Sequence, residues 1–502
     1  MFRALLSVGG FTLLSRATGF ARDIVMASVL GRGLLSDAFV IAFRLPNHFR
    51  AIFAEGAYNA AFIPLYASLR QQGAEAARSF ARNMLGWQIV TQLALLLAAL
   101  IFMPWIVAAL APGFTERPEQ MALAVELTRI TFAYLFCLAV VTHLGDTLNA
   151  EETFWPAAAA PVLLNLAMIA SLSLAVFFPT AAHAAAWGVF AGGVGEVLLL
   201  LFATARRGLP IMPTWPKLSA DVRQFASRFG PAALGASGVQ IALFADTILV
   251  SFLAVGEPTS LYYADRVNQL PMGVVGVALG TVLLPELSRA VSAGDEARAA
   301  RSFNRAAEIG LLLTLPCLVM FFAAPDAIMT GLFARGAFDV AAAQAAATVL
   351  MAYAVGLPAF VLLRTVNPLF HARGDTVTPV IATTVSIVIN LAVKLALVIG
   401  LSFGAEGLAL GTSAGAWINL AILALVASAR GLLKIEDRLL RGGPCIIGAA
   451  VFATLIVWLI GAPLGDALAG VTVLRAEIYL VLLGLAALAS YAVALIGLGW
   501  KR

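Results

Sequence analysis

Charged side chains are scarce in this sequence, and so are the residues that usually carry soluble chemistry. Only 12% of the 502 residues are Asp, Glu, Lys or Arg, and the chain contains 4 His and 3 Cys. A soluble domain has about 25% charged residues, so the composition excludes an ordinary soluble fold. The cysteines lie far apart in apolar segments, which predicts buried thiols and neither a disulfide framework nor a metal site.

Motifs for nucleotides and metals are also missing. The sequence has no G-x-x-x-x-G-K-[ST] phosphate loop, no His/Cys cluster and no hydrophilic loop long enough to house an active site. We therefore expect no enzyme, no cofactor and no metal. A net charge of +5 would suggest nucleic acid in a soluble protein, but the positive-inside bias of membrane proteins explains it here, and we expect no nucleic-acid partner.

Long apolar segments dominate the chain instead. Hydrophobic residues make up 61% of it, and the mean hydropathy is +0.95. A transmembrane helix needs about 20 mostly apolar residues, which predicts an all-α polytopic membrane protein with about fourteen spans. No cleavable signal peptide is expected, because the first apolar segment already carries three charges. The predicted spans are residues 4–30, 34–66, 82–110, 121–149, 155–178, 184–206, 222–254, 258–288, 303–324, 340–371, 376–400, 405–429, 443–462 and 474–499.

The loops between these spans differ in positive charge. If the N-terminus is cytoplasmic, the cytoplasmic segments hold about 20 Lys and Arg residues and the outer loops about four. Cytoplasmic loops carry the excess of Lys and Arg in membrane proteins, so this asymmetry predicts that both termini are cytoplasmic.

A weak internal repeat divides the chain into two similar parts. The stretch "AFRLPNHFRAIFAEGAYNAAFIP" recurs in weakened form as "YADRVNQLPMGVVGVALGTVLLP", and "ETFWP…LLNLAMI" recurs as "DTVTP…VINLAVK". The matched pairs are Pro46 with Pro271, Pro64 with Pro285, Ser79 with Ser302, Pro156 with Pro379 and Asn165 with Asn390. The repeat predicts an N-terminal lobe over 1–215, a C-terminal lobe over 216–430 and two additional spans over 431–502. Parallel repeats of this kind place the substrate site between them.

Among the arginines that lie inside predicted spans, four carry the candidate site. A charged residue at a helix centre costs about 2.5–3.5 kcal/mol, so Arg16, Arg22, Arg50 and Arg266 would together cost about 10 kcal/mol if they faced lipid. They must face a wet cavity, pair with acids, or both. Guanidinium groups bind phosphate and carboxylate in a bidentate way, so the set predicts a substrate site for an anion. The acids available for pairing are Asp23, Asp37, Glu55, Asp246 and Asp265.

Each of these residues also has a purely structural interpretation. Any of the four arginines can be one half of a buried ion pair. Glu55 either neutralises a neighbouring arginine or binds a cation, and Asp37 forms either a gate ion pair or a solvated helix end. Pro46 is expected to break or kink the second span. Arg44 and His48 are not chosen as site residues. A further polar group in the second lobe forms either an ion site or structural pairs: Arg364, Asp375, Asn390 and Lys394.

With these residues identified, the sequence resembles the MurJ/MviN family of lipid II flippases, within the multidrug/oligosaccharidyl-lipid/polysaccharide exporter superfamily. The resemblance covers essentially the whole chain. It is strongest in "SRATGFARDIVMASVLG", "DAFVIAFRLPNHFRAIFAEGAYNAAFIP" and "YYADRVNQLPMGVVGVALGTVLLPELSR". These motifs are specific, and a drug exporter would not be expected to carry them by chance.

The resemblance implies roles for particular residues. The cavity arginines of the family fall on Arg16, Arg22, Arg50 and Arg266, and its cavity glutamate falls on Glu55. Its essential acid near the outer mouth falls on Asp37. From the acids available for pairing with the arginines, we predict Asp23 and Asp265 as further gate or ion-pair residues. The family often has two arginines in a row in the second span, whereas this sequence has Ala51 after Arg50. The last two spans would help to form a groove for the polyprenyl tail.

The resemblance implies a flippase that moves the undecaprenyl-diphosphate-linked disaccharide-pentapeptide precursor of peptidoglycan, lipid II, outward across the bacterial inner membrane. Its expected partners are lipid II and membrane lipids, with sodium or proton coupling left open. One alternative is a cation-coupled multidrug or polysaccharide-lipid exporter, which would need acids rather than arginines in its cavity. A second is an idle membrane scaffold, which would be expected to lose the four arginines.

Overall fold

The computed structural model describes residues 2–53, 56–209, 212–471 and 473–500, and within these ranges every regular element is a helix. The predicted all-α membrane fold is confirmed. The chain forms two compact units. The first comprises Met1–Pro258 with Gly336–Phe338, and the second comprises Thr259–Arg335 with Asp339–Arg502.

The first unit is built from eight α-helices in its described residues. They are α1 (Phe2–Leu30), α2 (Leu34–Phe53), α3 (Ala57–Gln72), α4 (Ala74–Leu110), α5 (Pro118–Ala150), α6 (Trp155–Ser173), α7 (Ala181–Arg206) and α8 (Ala220–Ser251). Within this unit α7 packs against α5 and α6, α2 packs against α5, and α8 packs against α2 and α3.

Nearly all of the remaining helices belong to the second unit, since α9 begins at the boundary between the two. They are α9 (Glu257–Pro271), α10 (Val277–Ser292), α11 (Glu296–Ala323), α12 (Pro325–Phe333), α13 (Val340–Ala354), α14 (Leu357–His371), α15 (Val377–Leu395), α16 (Ala405–Ala429), α17 (Asp437–Ala467) and α18 (Arg475–Gly497). A π-helical turn, Met272–Gly276, joins α9 to α10. Helix α16 packs against α14 and α15, and α17 and α18 pack against each other and against α11.

Polar side chains fix where several of these helices begin. Thr180, Ser219, Asp295 and Asp339 stand just before α7, α8, α11 and α13, and each side-chain oxygen accepts a backbone N–H from the first turn. Such a cap satisfies one of the N–H groups that a helix start leaves without a partner, which stabilises the helix by about 1 kcal/mol.

Small residues let α6 and α7 approach closely. A Cβ added to Gly188 would lie 2.9 Å from the Cα of Met168, and one added to Gly192 would lie 2.8 Å from the Cα of Leu164. Membrane helices associate through close packing of this kind, because lipid leaves no hydrophobic driving force between them.

The outward faces of the helices are apolar. On α4 the side chains of Leu97, Ile101, Phe102 and Trp105 are all more than half exposed in the protein alone. Exposed apolar surface of this extent would be unstable in water, so it marks the face that meets lipid. Eleven helical stretches of the described residues are long and apolar enough to span a membrane, which makes this a multi-pass membrane protein.

The eleven stretches leave out three of the predicted spans, those over 4–30, 34–66 and 222–254, and these too lie on helices. Pro46 does not break the second span, because α2 continues through it to Phe53. The interruption comes ten residues later, where Gly56 has φ 60° and α3 begins. The short helix α12 lies between two predicted spans and was not predicted.

The residues that the internal repeat pairs all lie on helices. Pro64 lies on α3 and Pro285 on α10, two helices that each contain 16 residues. Asn165 lies on α6 and Asn390 on α15. The lobe boundaries after residues 215 and 430 were predicted from the internal repeat, whereas the two compact units are defined by packing. The lobe boundaries therefore stay a prediction.

Candidate functional site

Arg22 is buried inside the first unit. Its side chain donates from Nη2 to the Oδ1 of Asp23 over 2.7 Å and from Nη1 to the Oδ1 of Asn165 over 3.0 Å. Arg22 and Asp23 are only 7% and 3% exposed, and the guanidinium carbon lies 5.6 Å from the centre of the Phe43 ring. The predicted pairing of Asp23 with an arginine is therefore present in the structure, between neighbours on α1.

Asn165 is the residue that fixes this pair against α6. Its amide nitrogen donates to the backbone oxygen of Ser15 over 3.1 Å and to the hydroxyl of Thr18 over 3.2 Å, while its oxygen accepts from Arg22. Because the amide nitrogen and the amide oxygen of Asn165 both form hydrogen bonds, this side chain holds the Arg22 guanidinium in one position. Arg16, six residues before Arg22 on α1, has an exposed side chain.

Arg50 is near the end of α2 and lines a cavity of about 210 Å³ within the first unit. The same cavity is lined by Asn59 of α3, by Tyr134 and Asp146 of α5, and by Glu196 of α7. Glu196 is subject to a hydrogen bond from Tyr134 and to the positive charge of Arg50. Arg50 thus has acidic neighbours on α5 and α7, whereas Glu55, its predicted neighbour, lies outside the described residues.

Asp37 is fully buried at the start of α2. Its Oδ2 accepts a hydrogen bond of 2.6 Å from the backbone N–H of Gly256, in the turn that follows α8. Arg32 contacts the carbonyl group of the same residue, donating from Nε to the Gly256 oxygen over 3.1 Å. A solvated helix end is excluded by the burial of Asp37, and a gate role stays a prediction.

Two of the predicted site residues lie in the second unit. The guanidinium carbon of Arg266 lies 4.8 Å from the centre of the Tyr262 ring on α9, a cation–π distance. Asp265 accepts a hydrogen bond of 2.5 Å from the side-chain nitrogen of Gln269, one turn further on. Both residues stand in the turns of α9 that precede the π-helical segment, and π-helical turns are frequent at functional sites.

Residues that were not chosen as site residues have structural partners. His48 lies 3.1 Å from the hydroxyl of Thr247 and packs against the ring of Phe244. Asp375 accepts hydrogen bonds from Thr378 and from Arg430 at the start of α15, which favours the structural interpretation of this residue.

Asp146 and Glu196 line the same cavity as Arg50 and were not predicted from the sequence. Glu196 stands in the middle of an apolar span, so the cost argument applied to the arginines would also have selected it.

Comparison with known proteins connects this arrangement to one family. A sequence model of the family described as Lipid II flippase MurJ matches residues 26–475. A "Probable lipid II flippase MurJ" of Rhizobium meliloti (strain 1021) is 38% identical over 457 residues, covering 90% of this chain and 85% of the relative. The "Lipid II flippase MurJ" of Burkholderia cenocepacia is 35% identical over 470 residues, covering 91% of this chain and 90% of the relative.

Solved structures show the same fold at lower identity. A structure titled "Lipid II flippase MurJ, inward closed conformation" superposes with a TM-score of 0.78 at 23% identity, covering 97% of both chains. An inward-facing multidrug resistance MATE family transporter of the MOP superfamily superposes with a TM-score of 0.67 at 18% identity, covering 83% of this chain and 95% of the other. At these identities the structures establish the fold alone. The match over residues 26–475 and the curated relatives establish more: the chain belongs to the MurJ family of lipid II flippases.

Proposed function

We propose that this protein moves lipid II, the undecaprenyl-diphosphate-linked precursor of peptidoglycan, from the inner to the outer leaflet of the bacterial inner membrane by alternating access. The family match over residues 26–475 carries the proposal. The burial of Arg22 within the first unit supports it, because a buried guanidinium is an expensive group to keep in a membrane protein without a use.

The chemistry of the substrate fits the charges. A diphosphate offers oxygens that accept the paired N–H donors of arginine, and Arg16, Arg22, Arg50 and Arg266 would supply them. Outward movement of negative charge from an inside-negative cell is downhill by about 2.3 kcal/mol per charge per 100 mV, so the membrane potential would assist transport. We propose that both termini are cytoplasmic, as the loop charges indicate.

Depletion in cells tests the function. When the protein is the only flippase of its class and is removed, lipid II should accumulate in the inner leaflet, and cells should lose wall synthesis and shape. Transport that continues at the normal rate would contradict the proposal. A reporter fused behind the C-terminus, active only outside the cytoplasm, tests the orientation separately and should stay inactive.

Arginine variants test the site. Replacing Arg50 or Arg266 by alanine should abolish complementation of the depleted strain while the protein still accumulates in the membrane. Arg207→Ala is the matched control, because Arg207 follows α7 on the exposed surface and should complement normally. If the Arg50 and Arg266 variants complement as well as the control does, these arginines do not bind the substrate.

A ligand comparison separates the flippase from the drug exporter that shares its fold. The purified protein should retain an undecaprenyl diphosphate lipid in native mass spectrometry and should not bind a cationic dye. The reverse result would favour the exporter.

A further inference from the structure

The cavity that Arg50 lines in the first unit is formed by helices that were predicted as membrane spans. Two carboxyl groups, those of Asp146 and Glu196, line it. Glu196 and Asp146 are 2% and 3% exposed, so both belong to the protein interior. The cavity volume of about 210 Å³ is enough for several water molecules, each of which occupies about 30 Å³ in the liquid.

Each carboxyl group has one oxygen that lacks a hydrogen-bond partner. These atoms are Oδ2 of Asp146 and Oε2 of Glu196, and Oδ1 of Asn59, on the same cavity wall, is also without one. An ionised carboxylate in such a place is far more costly than a neutral carboxylic acid, whose O–H donates a hydrogen bond.

The charged groups around the pair do not neutralise both carboxylates. Among the described residues, the titratable or charged side chains near Asp146 and Glu196 are Arg50 from α2, Tyr58 from α3, and Tyr134 and Cys137 from α5. The wall contributed by α6 is apolar. The described lining residues therefore include one positive charge and two acids, and one acidic proton brings the net charge of these three groups to zero.

We propose that Asp146 and Glu196 form a proton-binding site of the first unit, whose two carboxyl groups together hold one proton and take up a second when Arg50 engages an anionic substrate. When a diphosphate pairs with Arg50, the guanidinium no longer neutralises the ionised carboxylate of the pair. That carboxylate then takes up a second proton. When the substrate leaves, that proton is released. The coupling half of this proposal rests on the proposed function, whereas the proton site itself does not.

A proton fits the site better than a metal cation. Among the described residues, no group of three or more His, Cys, Asp or Glu side chains is placed to hold a metal ion. Sodium would also have to enter beside the Arg50 guanidinium, whose charge repels it.

Infrared difference spectroscopy on the purified protein without ligand tests the proton site. In the wild-type protein, a band of protonated carboxylic acid should disappear when the pH is raised. The same band should be absent from the Asp146→Asn and Glu196→Gln variants. The band should persist in Glu119→Gln, the control, because Glu119 is an exposed acid in the first turn of the same α5. Thermal unfolding checks that each variant is folded, and Asp146→Glu should restore the band at a shifted frequency.

Several results would overturn the assignment. A wild-type protein without such a band, or a band that both variants retain, excludes a protonated pair. A band that is lost on replacing potassium by sodium at constant pH would show that the site binds a cation instead.

Proton exchange on ligand binding tests the coupling. In weak buffer, an undecaprenyl diphosphate lipid should cause proton uptake by the wild-type protein and by Glu119→Gln, and at least fivefold less by Asp146→Asn or Glu196→Gln. Lipid that binds without any proton uptake would overturn the coupling and leave the proposed function standing. Lipid that fails to bind at all would count against the proposed function, while the infrared band would still report on the proton site.

Discussion

Asp37 accepts a hydrogen bond from the backbone N–H of Gly256, a residue 219 positions further along the chain. The contact ties the start of α2 to the turn after α8, and Arg32 holds the carbonyl side of the same residue. Gly256 has φ 90°, which a residue with a Cβ rarely adopts, and an added Cβ would also lie 3.0 Å from the Arg32 side chain. The predicted gate acid is thus part of a clamp between two helix ends.

Removing the Asp37 carboxylate should loosen this clamp. Asp37→Ala leaves the Gly256 N–H without this acceptor, and a hydrogen bond to a charged group contributes about 1.5–3 kcal/mol. We expect a lower thermal unfolding temperature in detergent and loss of complementation. Asp37→Asn keeps an acceptor oxygen and should lose less stability. An Asp37→Ala protein as stable as the wild type would show that the clamp does not contribute.

The Arg22–Asp23 pair allows a structural role to be separated from a transport role. Arg22→Ala removes the guanidinium that is ion-paired with the buried Asp23 carboxylate, and breaking a buried ion pair in this way should cost about 3–5 kcal/mol of stability. The double variant Arg22→Met with Asp23→Asn removes both charges and should recover most of the unfolding temperature. We expect it to remain inactive in complementation, because we propose that the Arg22 guanidinium binds the diphosphate. A double variant that is both folded and active would assign the pair a structural role only.

Span positions were predictable from the sequence because the membrane sets the length of each helix. The predicted span 405–429 coincides with α16, and the span 474–499 differs from α18 by one or two residues at each end. The end of α2 was not predictable in this way. A proline inside a helix suggests a break at Pro46, but α2 continues to Phe53, and α3 begins at Ala57 after Gly56, which has φ 60°.

The candidate site was only partly predictable. The insertion cost of a charge selects Arg22 and Arg50 from one sequence, since that cost depends on the residue and its depth. The partners of Arg22 and Arg50 depend on tertiary packing. Asn165 is 143 residues from Arg22, and Asp146 and Glu196 come to Arg50 from two other helices, at distances along the chain that no local pattern encodes.

Asp375 should make the stability of the loop before α15 depend on acid. Hydrogen bonds from the Thr378 hydroxyl and backbone N–H, and then from Arg430, hold the pKa of the Asp375 carboxyl well below its ordinary value near 4. A lowered folded-state pKa gives a stabilisation that is complete above about pH 4 and is lost as the pH falls through the lowered value.

Unfolding temperatures measured between about pH 3 and 7 check this dependence. Thr378→Val removes the largest cause of the shift, so the acid transition should move upward in pH. Asp375→Asn cannot ionise, and its stability should change less across the same range. Equal acid profiles for the wild type and both variants would contradict the assignment.

The close contact between α6 and α7 should make two neighbouring glycines respond in opposite ways to alanine. At Gly192 the added Cβ would lie 2.8 Å from the Leu164 Cα, whereas at Gly195 its nearest neighbour would be the Leu163 Cβ at 3.9 Å. Overpacking costs about 1–3 kcal/mol, and the better helix propensity of alanine returns up to about 1 kcal/mol. Gly192→Ala should therefore lower the unfolding temperature, and Gly195→Ala should leave it unchanged or raise it. Because Leu164 also lines the cavity of Asp146 and Glu196, Gly192→Ala should reduce the infrared band of the protonated pair as well. If the two alanine variants unfold at the same temperature, the packing of α7 against α6 does not require a glycine at position 192.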